Sequence, residues 1–284
     1  MYDAEAASGL SPHAKHMQRV KGTARIRFAL SAGKTRLADL YQNGSAKIRL
    51  PKVYNEPATA VLINTAGGLT GGDELSYQAT ADEGTHAIVT SQAAERAYRS
   101  PGGSAKVTGH LAVGAGATLE WLPQETILFE ASDLKRQIYA DLAGDARLLM
   151  LESIVLGRKA MGEQVQSVSF KDSWRIRRDN KLVFADDIRF QGDPSRFLHG
   201  PATAGKGQVV ATFVDCAIDA EDRLSVARSS LDTVQTETTR AAASTWNGLL
   251  VARLVSTDSR NLRSALMHFL TCYRAADLPR VWHC

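Results

Sequence analysis

LINTAGGLTGGD, residues 62–73, sets four glycines behind a short apolar run. Read as a phosphate cradle, it announces an α/β nucleotide-binding fold; read as a turn, it leaves a β protein. Gly67 and Gly72 have the P-loop separation, but Asp73 and Glu74 follow where the pattern requires Lys and a hydroxyl. Two carboxylates repel a phosphate, so the P-loop reading fails on the sign of charge. The dinucleotide pattern fails as well, since neither this loop nor GAGATL at 114–119 has three glycines in register. A tight turn remains, with Asn64 and Thr65 bonding local backbone and Asp73 closing an Asx-turn. A sharper version places the loop at an interface or channel mouth with Asp73 facing it.

On either side of the loop the chain alternates with the period of a strand. In ARIRFAL, Ile26, Phe28 and Leu30 point one way, and Arg25 and Arg27 the other. AKIRL, HLAV, VSF and LVFADDIRF repeat the pattern. Turn signals punctuate these runs at Asn43-Gly44, Gly114 with Gly116, Gly144-Asp145 and Asp179-Asn180. From Lys21 to about Ala217 the chain therefore reads as mostly β. It shows no fixed repeat period, which argues against a propeller or a regular solenoid. The last third turns helical. Leu224, Ala227 and Leu231 have helical spacing, and a strand, GLLVARLV, follows. Leu262, Ala265, Leu266, Phe269, Leu270 and Tyr273 then form an apolar stripe, capped by Asp258 or Ser259 and stopped before Pro279. The expected organisation is a polar tail over 1–20 and one composite domain over 21–284.

Composition sets outer bounds. The 284 residues include 44% hydrophobic and 23% charged side chains, ordinary for a folded protein, and a net charge of +4 does not indicate a nucleic-acid binder. Cys216, Cys272 and Cys284 form no CxxC pair or disulfide framework. Neither a signal peptide nor a run of roughly 18 apolar residues is visible. These features lead to the expectation of a cytoplasmic protein that acts on neither nucleic acid nor membrane.

Enzyme motifs are missing too: GxSxG and HExxH do not occur. His268 and Cys272, spaced i, i+4, are two ligands at most and read as packing, while His13, His16, His283 and Cys284 sit in terminal segments. Polar segments inside β territory hold the remaining candidates. TSQAAERAYRS (90–100) carries Gln92, Glu95, Arg96, Tyr98 and Arg99, LPQETILFE (122–130) carries Gln124 and Glu125, and GRKAMGE (157–163) carries Arg158 and Glu163. Each suits a solvated surface, a polar interface or a hydrated passage.

Together, NTAGGLTGGD (64–73), TSQAAERAYRS, LPQETILFE, GRKAMGE and LPRVW (278–282) resemble the urease accessory proteins of the UreD type, also called UreH. The five motifs occur in the family's order between about Gly22 and Trp282. The resemblance implies irregular stacked sheets with a few helices toward the C-terminus, and a scaffold without catalytic residues. It further implies a helical partner, UreF, which recruits the nickel-carrying GTPase UreG, the whole assembly docking on apo-urease. No cofactor is expected to be held stably, and nickel in transit is the expected cargo. A conduit must bind a borderline cation weakly at several points, since a complete His/Cys cage would trap it. Asp73, Glu125 and Glu163 are the candidates for transient contacts. Asn64, Thr65, Gln124, Arg96, Tyr98 and Arg158 suit interface or structural roles, and Arg280 and Trp282 either dock the C-terminus or meet a partner. Two rivals remain: a carbohydrate-active or other enzyme working through the polar β surface, and a plain adaptor with no metal passage. For the enzyme, Asp186 and Asp187 are the obvious carboxylates, but neighbours on a strand face opposite ways.

Overall fold

The structure, a computed structural model, describes residues 19–53, 57–158 and 162–283. The expected tail up to position 18, with His13 and His16, lies outside the described residues, as do Lys159–Met161 and Cys284.

The chain opens with β1 (Lys21–Ser31), β2 (Lys34–Gly44) and β3 (Ala46–Arg49). It continues through β4 (Ala58–Asn64), β5 (Glu74–Ala81), β6 (His86–Ser91), β7 (Glu95–Ala97) and β8 (Ala105–Val113). Next come β9 (Thr118–Leu122), β10 (Thr126–Leu128), β11 (Asp133–Leu142), β12 (Arg147–Leu156), β13 (Val168–Arg178) and β14 (Lys181–Gly192). The last part holds α1 (Ser195–Leu198), β15 (Val209–Asp215), α2 (Leu224–Asp232), β16 (Thr239–Trp246), β17 (Leu249–Ser256) and α3 (Ser259–Arg274).

These strands form two stacked sheets. The first runs β14-β13-β11-β8-β5-β1-β2 and the second β16-β17-β15-β12-β9-β6-β4-β3, with short β7 and β10 alongside β12. From β4 to β13 the main strands alternate between the sheets, so the backbone coils, and strands of successive turns pair in parallel. Tyr77, Gly109, Ile138 and Trp174 lie in one column across four turns. Their intervals in the chain are unequal. The coil is thus real but has no period, which is why the sequence reads as non-repetitive.

Local chemistry explains most element boundaries. Asp179 and Asn180 both take positive φ (48° and 64°) in the two-residue turn between β13 and β14, as the hairpin geometry demands. Asp258 caps α3, accepting from the amides of Arg260 and Asn261 at 2.9 and 3.0 Å. The alternation in β1 buries Ile26 and Phe28, but Leu30, near the strand's end, is 48% exposed.

One apolar core fills the space between the sheets and includes Phe28, Leu111, Ile138, Met150 and Phe170. A second lies on the far face of the second sheet, where Leu151, Phe213 and Leu254 meet Leu262, Leu266 and Phe269 of α3. Phe213 touches Phe269 and Tyr273 edge-on, with ring centroids 5.1 and 5.2 Å apart. Each such buried ring contributes about 1.5–3 kcal/mol. Because β12 is covered on both faces, it reads RLLMLESIVL, an almost unbroken apolar run.

Candidate functional site

The glycine loop is held by its own amides. Gly67 N donates to the Asn64 carbonyl (3.2 Å), Leu69 N to Arg96 O (2.7 Å) and Gly72 N to Ser104 O (3.1 Å). Asp73 is 2% exposed. Its two carboxylate oxygens accept from Val20 N and Thr70 N, both at 2.8 Å. Most of the loop's amides are therefore engaged by protein oxygens. Asp73 ties the start of β1 to the loop and does not face a channel. Thr65 donates backbone N–H and hydroxyl to Ser45 O, at 2.9 and 3.1 Å. Glycine is required at position 68, where a Cβ would lie 2.3 Å from the Tyr98 ring and 2.8 Å from Arg96 O.

From this loop the other motifs follow by direct contact. Tyr98 N donates to Leu69 O (2.7 Å), and the Tyr98 hydroxyl donates to Gly67 O (3.3 Å). Strand β7 pairs in parallel with β10, and the Tyr98 and Phe129 rings meet edge-on at 5.1 Å. The Arg158 guanidinium lies over Phe129, 4.3 Å from its centroid. Glu163 accepts from Arg158 N and Nε, both at 3.0 Å, and from Glu130 N at 3.2 Å. Burial raises the Glu163 carboxyl, but those bonds outweigh it and hold the group below its ordinary range.

Gln124, buried, joins three elements. Its Nε2 donates to Ser91 O (3.3 Å), Gln92 O (3.1 Å) and Val281 O (2.8 Å), and its Oε1 accepts from Arg263 (2.9 Å). Arg263 also pairs with Glu125 (3.1 Å) and donates to Trp282 O (2.8 Å). Trp282 is 1% exposed, and its indole N–H lies 3.2 Å from both Thr90 Oγ1 and Leu122 O. The tryptophan thus docks the C-terminus. Arg280 stands exposed beside it.

Behind this surface lies a cavity of about 270 Å³ between the sheets. Asn64, Gln92, Glu95, Arg96 and Gln124 line its outer part, and Tyr77, Trp121, Arg136 and Glu152 line it more deeply. Asn64 Nδ2 donates to Glu95 Oε2 at 3.2 Å. Burial raises the Glu95 carboxyl above its ordinary value, against bonds from Arg96 N and Asn64. At the inner end Arg136 forks onto Asp172 (2.9 and 2.6 Å) and also contacts Glu152 and Thr126. Trp121 Nε1 donates to Glu152 at 2.9 Å. Burial, opposed by Arg136, pushes Glu152 up to about 7. The cavity therefore offers oxygen ligands at two depths, each partly engaged, and ends on a fixed cation.

Of the residues singled out in the sequence, Asn64, Arg96 and Gln124 line the cavity, whereas Thr65, Asp73, Tyr98, Glu125, Arg158, Glu163, Arg280 and Trp282 do not. The sequence reading named Glu95 only within a polar segment, and it missed Arg136, Glu152 and Asp172 as site residues. Two signals were legible: Arg136 occupies an inward position between Leu134 and Ile138, and Glu152 interrupts an apolar run. Among the described residues, no three His, Cys, Asp or Glu side chains gather at a metal-binding spacing. His268 Nε2 lies 3.5 Å from Cys272 Sγ and 2.9 Å from Thr233 Oγ1. Asp186 pairs with Arg253 (2.7 Å) and Asp187 with Arg175 (2.7 Å), so each of these carboxylates is neutralised by a different partner.

Residues 20–283 match the family model described as UreD urease accessory protein. The chain belongs to the UreD family. It is 40% identical over 269 residues to the urease accessory protein UreD of Azorhizobium caulinodans, covering 95% of this chain and 98% of that protein. Against UreD of Xanthobacter autotrophicus identity is 44% over 265 residues, covering 93% and 90% of the two chains. UreD of Rhizobium leguminosarum bv. viciae is 40% identical over 267 residues, covering 94% of this chain and 96% of that protein. The match spans all five motifs, three of which contribute lining residues to the cavity. Among the described residues no helix is long and apolar enough to cross a membrane.

Proposed function

We propose that this UreD-family chain is a scaffold without catalytic residues that helps insert nickel into apo-urease. It acts in the cytoplasm with the helical protein UreF and, through UreF, with the GTPase UreG. The observation that carries this reading is the convergence of three of the motifs, 64–73, 90–100 and 122–130, on one cavity between the sheets, with the C-terminal motif bonded to them through Gln124. The glycine loop lacks the Lys and hydroxyl of a P-loop and several of its amides are bonded to protein oxygens, which supports assigning nucleotide hydrolysis to a partner. Nickel is cargo here and no cofactor is held stably. Oxygen ligands that are already partly engaged bind a borderline cation weakly, as transit requires. Glu95 is the contact at the mouth. Asp73, Glu125 and Glu163, each bonded to backbone or to an arginine, hold the surrounding surface in place.

The test compares urease made with and without this chain, with the other urease genes and the nickel supply unchanged. Urease should accumulate nickel-poor and inactive only when the chain is missing. Equal nickel content and equal specific activity in both cultures would sink the proposal. Glu95→Gln, which keeps the Asn64 contact but removes the charge, should lower nickel content while the chain still co-purifies with urease.

A further inference from the structure

We infer that the outer face of the first sheet is a docking site for an acidic segment of a partner protein, built on a row of four cations. Lys106 pairs in register with Lys135, Lys135 with Lys171, and Lys171 with Arg189. All four are exposed on one face. Neighbouring strands lie about 4.8 Å apart, so the row is roughly 14 Å long. Like charges directly opposite one another destabilise a sheet, and here three such pairs follow in succession.

Little on the chain itself relieves them. Lys106 reaches Glu74 at 3.4 Å, a carboxylate it shares with Lys21 at 3.9 Å. Arg189 donates to the Gln191 side chain (2.9 Å). Among the described residues no carboxylate stands within ion-pair distance of Lys135 or Lys171. Asp187, the acid on the adjoining row, bonds Ser173 and Arg175 (2.7 Å) and gives Lys171 only a weaker, longer-range attraction.

The row forms the floor of a groove of about 560 Å³, edged by Thr108 and Gln137 on one side and Ser169 and Gln191 on the other. Asp133, on the flanking row beside Ser169, also lines the groove. The four aligned cations complement a run of carboxylates on an extended segment. His110 and Tyr139, the aromatic pair on this face, stack on each other at 5.3 Å rather than standing apart as a base platform. The row also continues the motif surface, since Lys106 N donates to Asp73 O at 2.8 Å. The choice of a protein partner rests on the accessory role proposed above; the row and its groove do not.

The experiment measures binding of the full chain to a fluorescein-labelled polyglutamate peptide of about ten residues by anisotropy. Binding should weaken steeply as salt rises from about 0.05 to about 0.3 M. Lys135→Glu with Lys171→Glu should weaken it roughly tenfold or more, and Lys135→Ala with Lys171→Ala by less. Lys34→Glu with Arg36→Glu, on the opposite edge strand, is the control and should leave it unchanged. Equal loss in the control, or no loss in the row variants, overturns the proposal. So does oligouridylate binding more tightly than the peptide, or inorganic phosphate displacing the peptide at equal charge. In cells, failure of the wild-type chain to support nickel loading would remove the accessory reading and leave the measured peptide binding standing. Normal loading by a row variant that no longer binds peptide would remove the docking role alone.

Discussion

Replacing Glu152 by Gln tests the buried cluster at the inner end of the cavity. One guanidinium, Arg136, faces two carboxylates, Glu152 and Asp172, all three being 5% exposed or less. A single cation cannot neutralise both, and burial pushes Glu152 from its ordinary 4.5 up to about 7. The native state therefore holds this proton more tightly than the unfolded chain does. The resulting stability is complete below pH 4.5 and is lost as pH rises through about 7. At about 1.4 kcal/mol per pH unit the whole window amounts to about 3 kcal/mol, most of it between pH 5 and 8. The assay is urea unfolding at several pH values, comparing wild type with Glu152→Gln, so that contributions from other titrating groups cancel. Wild type should lose about 2–3 kcal/mol relative to the variant from pH 5 to pH 8. A constant difference, or a wild type that gains on the variant as pH rises, would refute the reasoning.

Three further outcomes follow from the geometry. Trp282→Ala should cost about 3–5 kcal/mol in unfolding free energy, because the ring is buried and anchors the C-terminus; a change near zero would mean that the residue serves a partner instead. Asp73→Asn sets an amide donor against Val20 N or Thr70 N, so hydrogen exchange at those amides should accelerate and stability should fall by about 1–3 kcal/mol. Unchanged protection at both amides would show that the carboxylate does not hold the loop. Gly68→Ala drives a methyl against the Tyr98 ring and the Arg96 carbonyl. It should destabilise by about 1–3 kcal/mol with a shift in the tyrosine fluorescence, and a neutral effect would contradict the close approach described.

The amino-acid sequence by itself determined the elements. Alternation marked β1, β3, β8, β13 and β14, and the stripe from Leu262 to Tyr273 is the face that α3 buries. Asp258 and the pair Asp179-Asn180 announced a cap and a turn that the backbone then makes. These signals are legible because period, capping and φ preference act within about ten residues of chain. The failed P-loop was likewise legible from the charge of Asp73 and Glu74. Only the tertiary structure decided what the elements bring together. Gln124 bonds Val281, 157 positions away, and Arg136 meets Asp172 and Glu152 from neighbouring strands of the coil. The row from Lys106 to Arg189 exists only in the paired sheet. Its members share a face because the two-residue period survives along each strand, but their alignment depends on the length of every intervening turn. Those lengths are unequal and are set by packing between the sheets, so register is a property of the whole coil and of no single stretch of it.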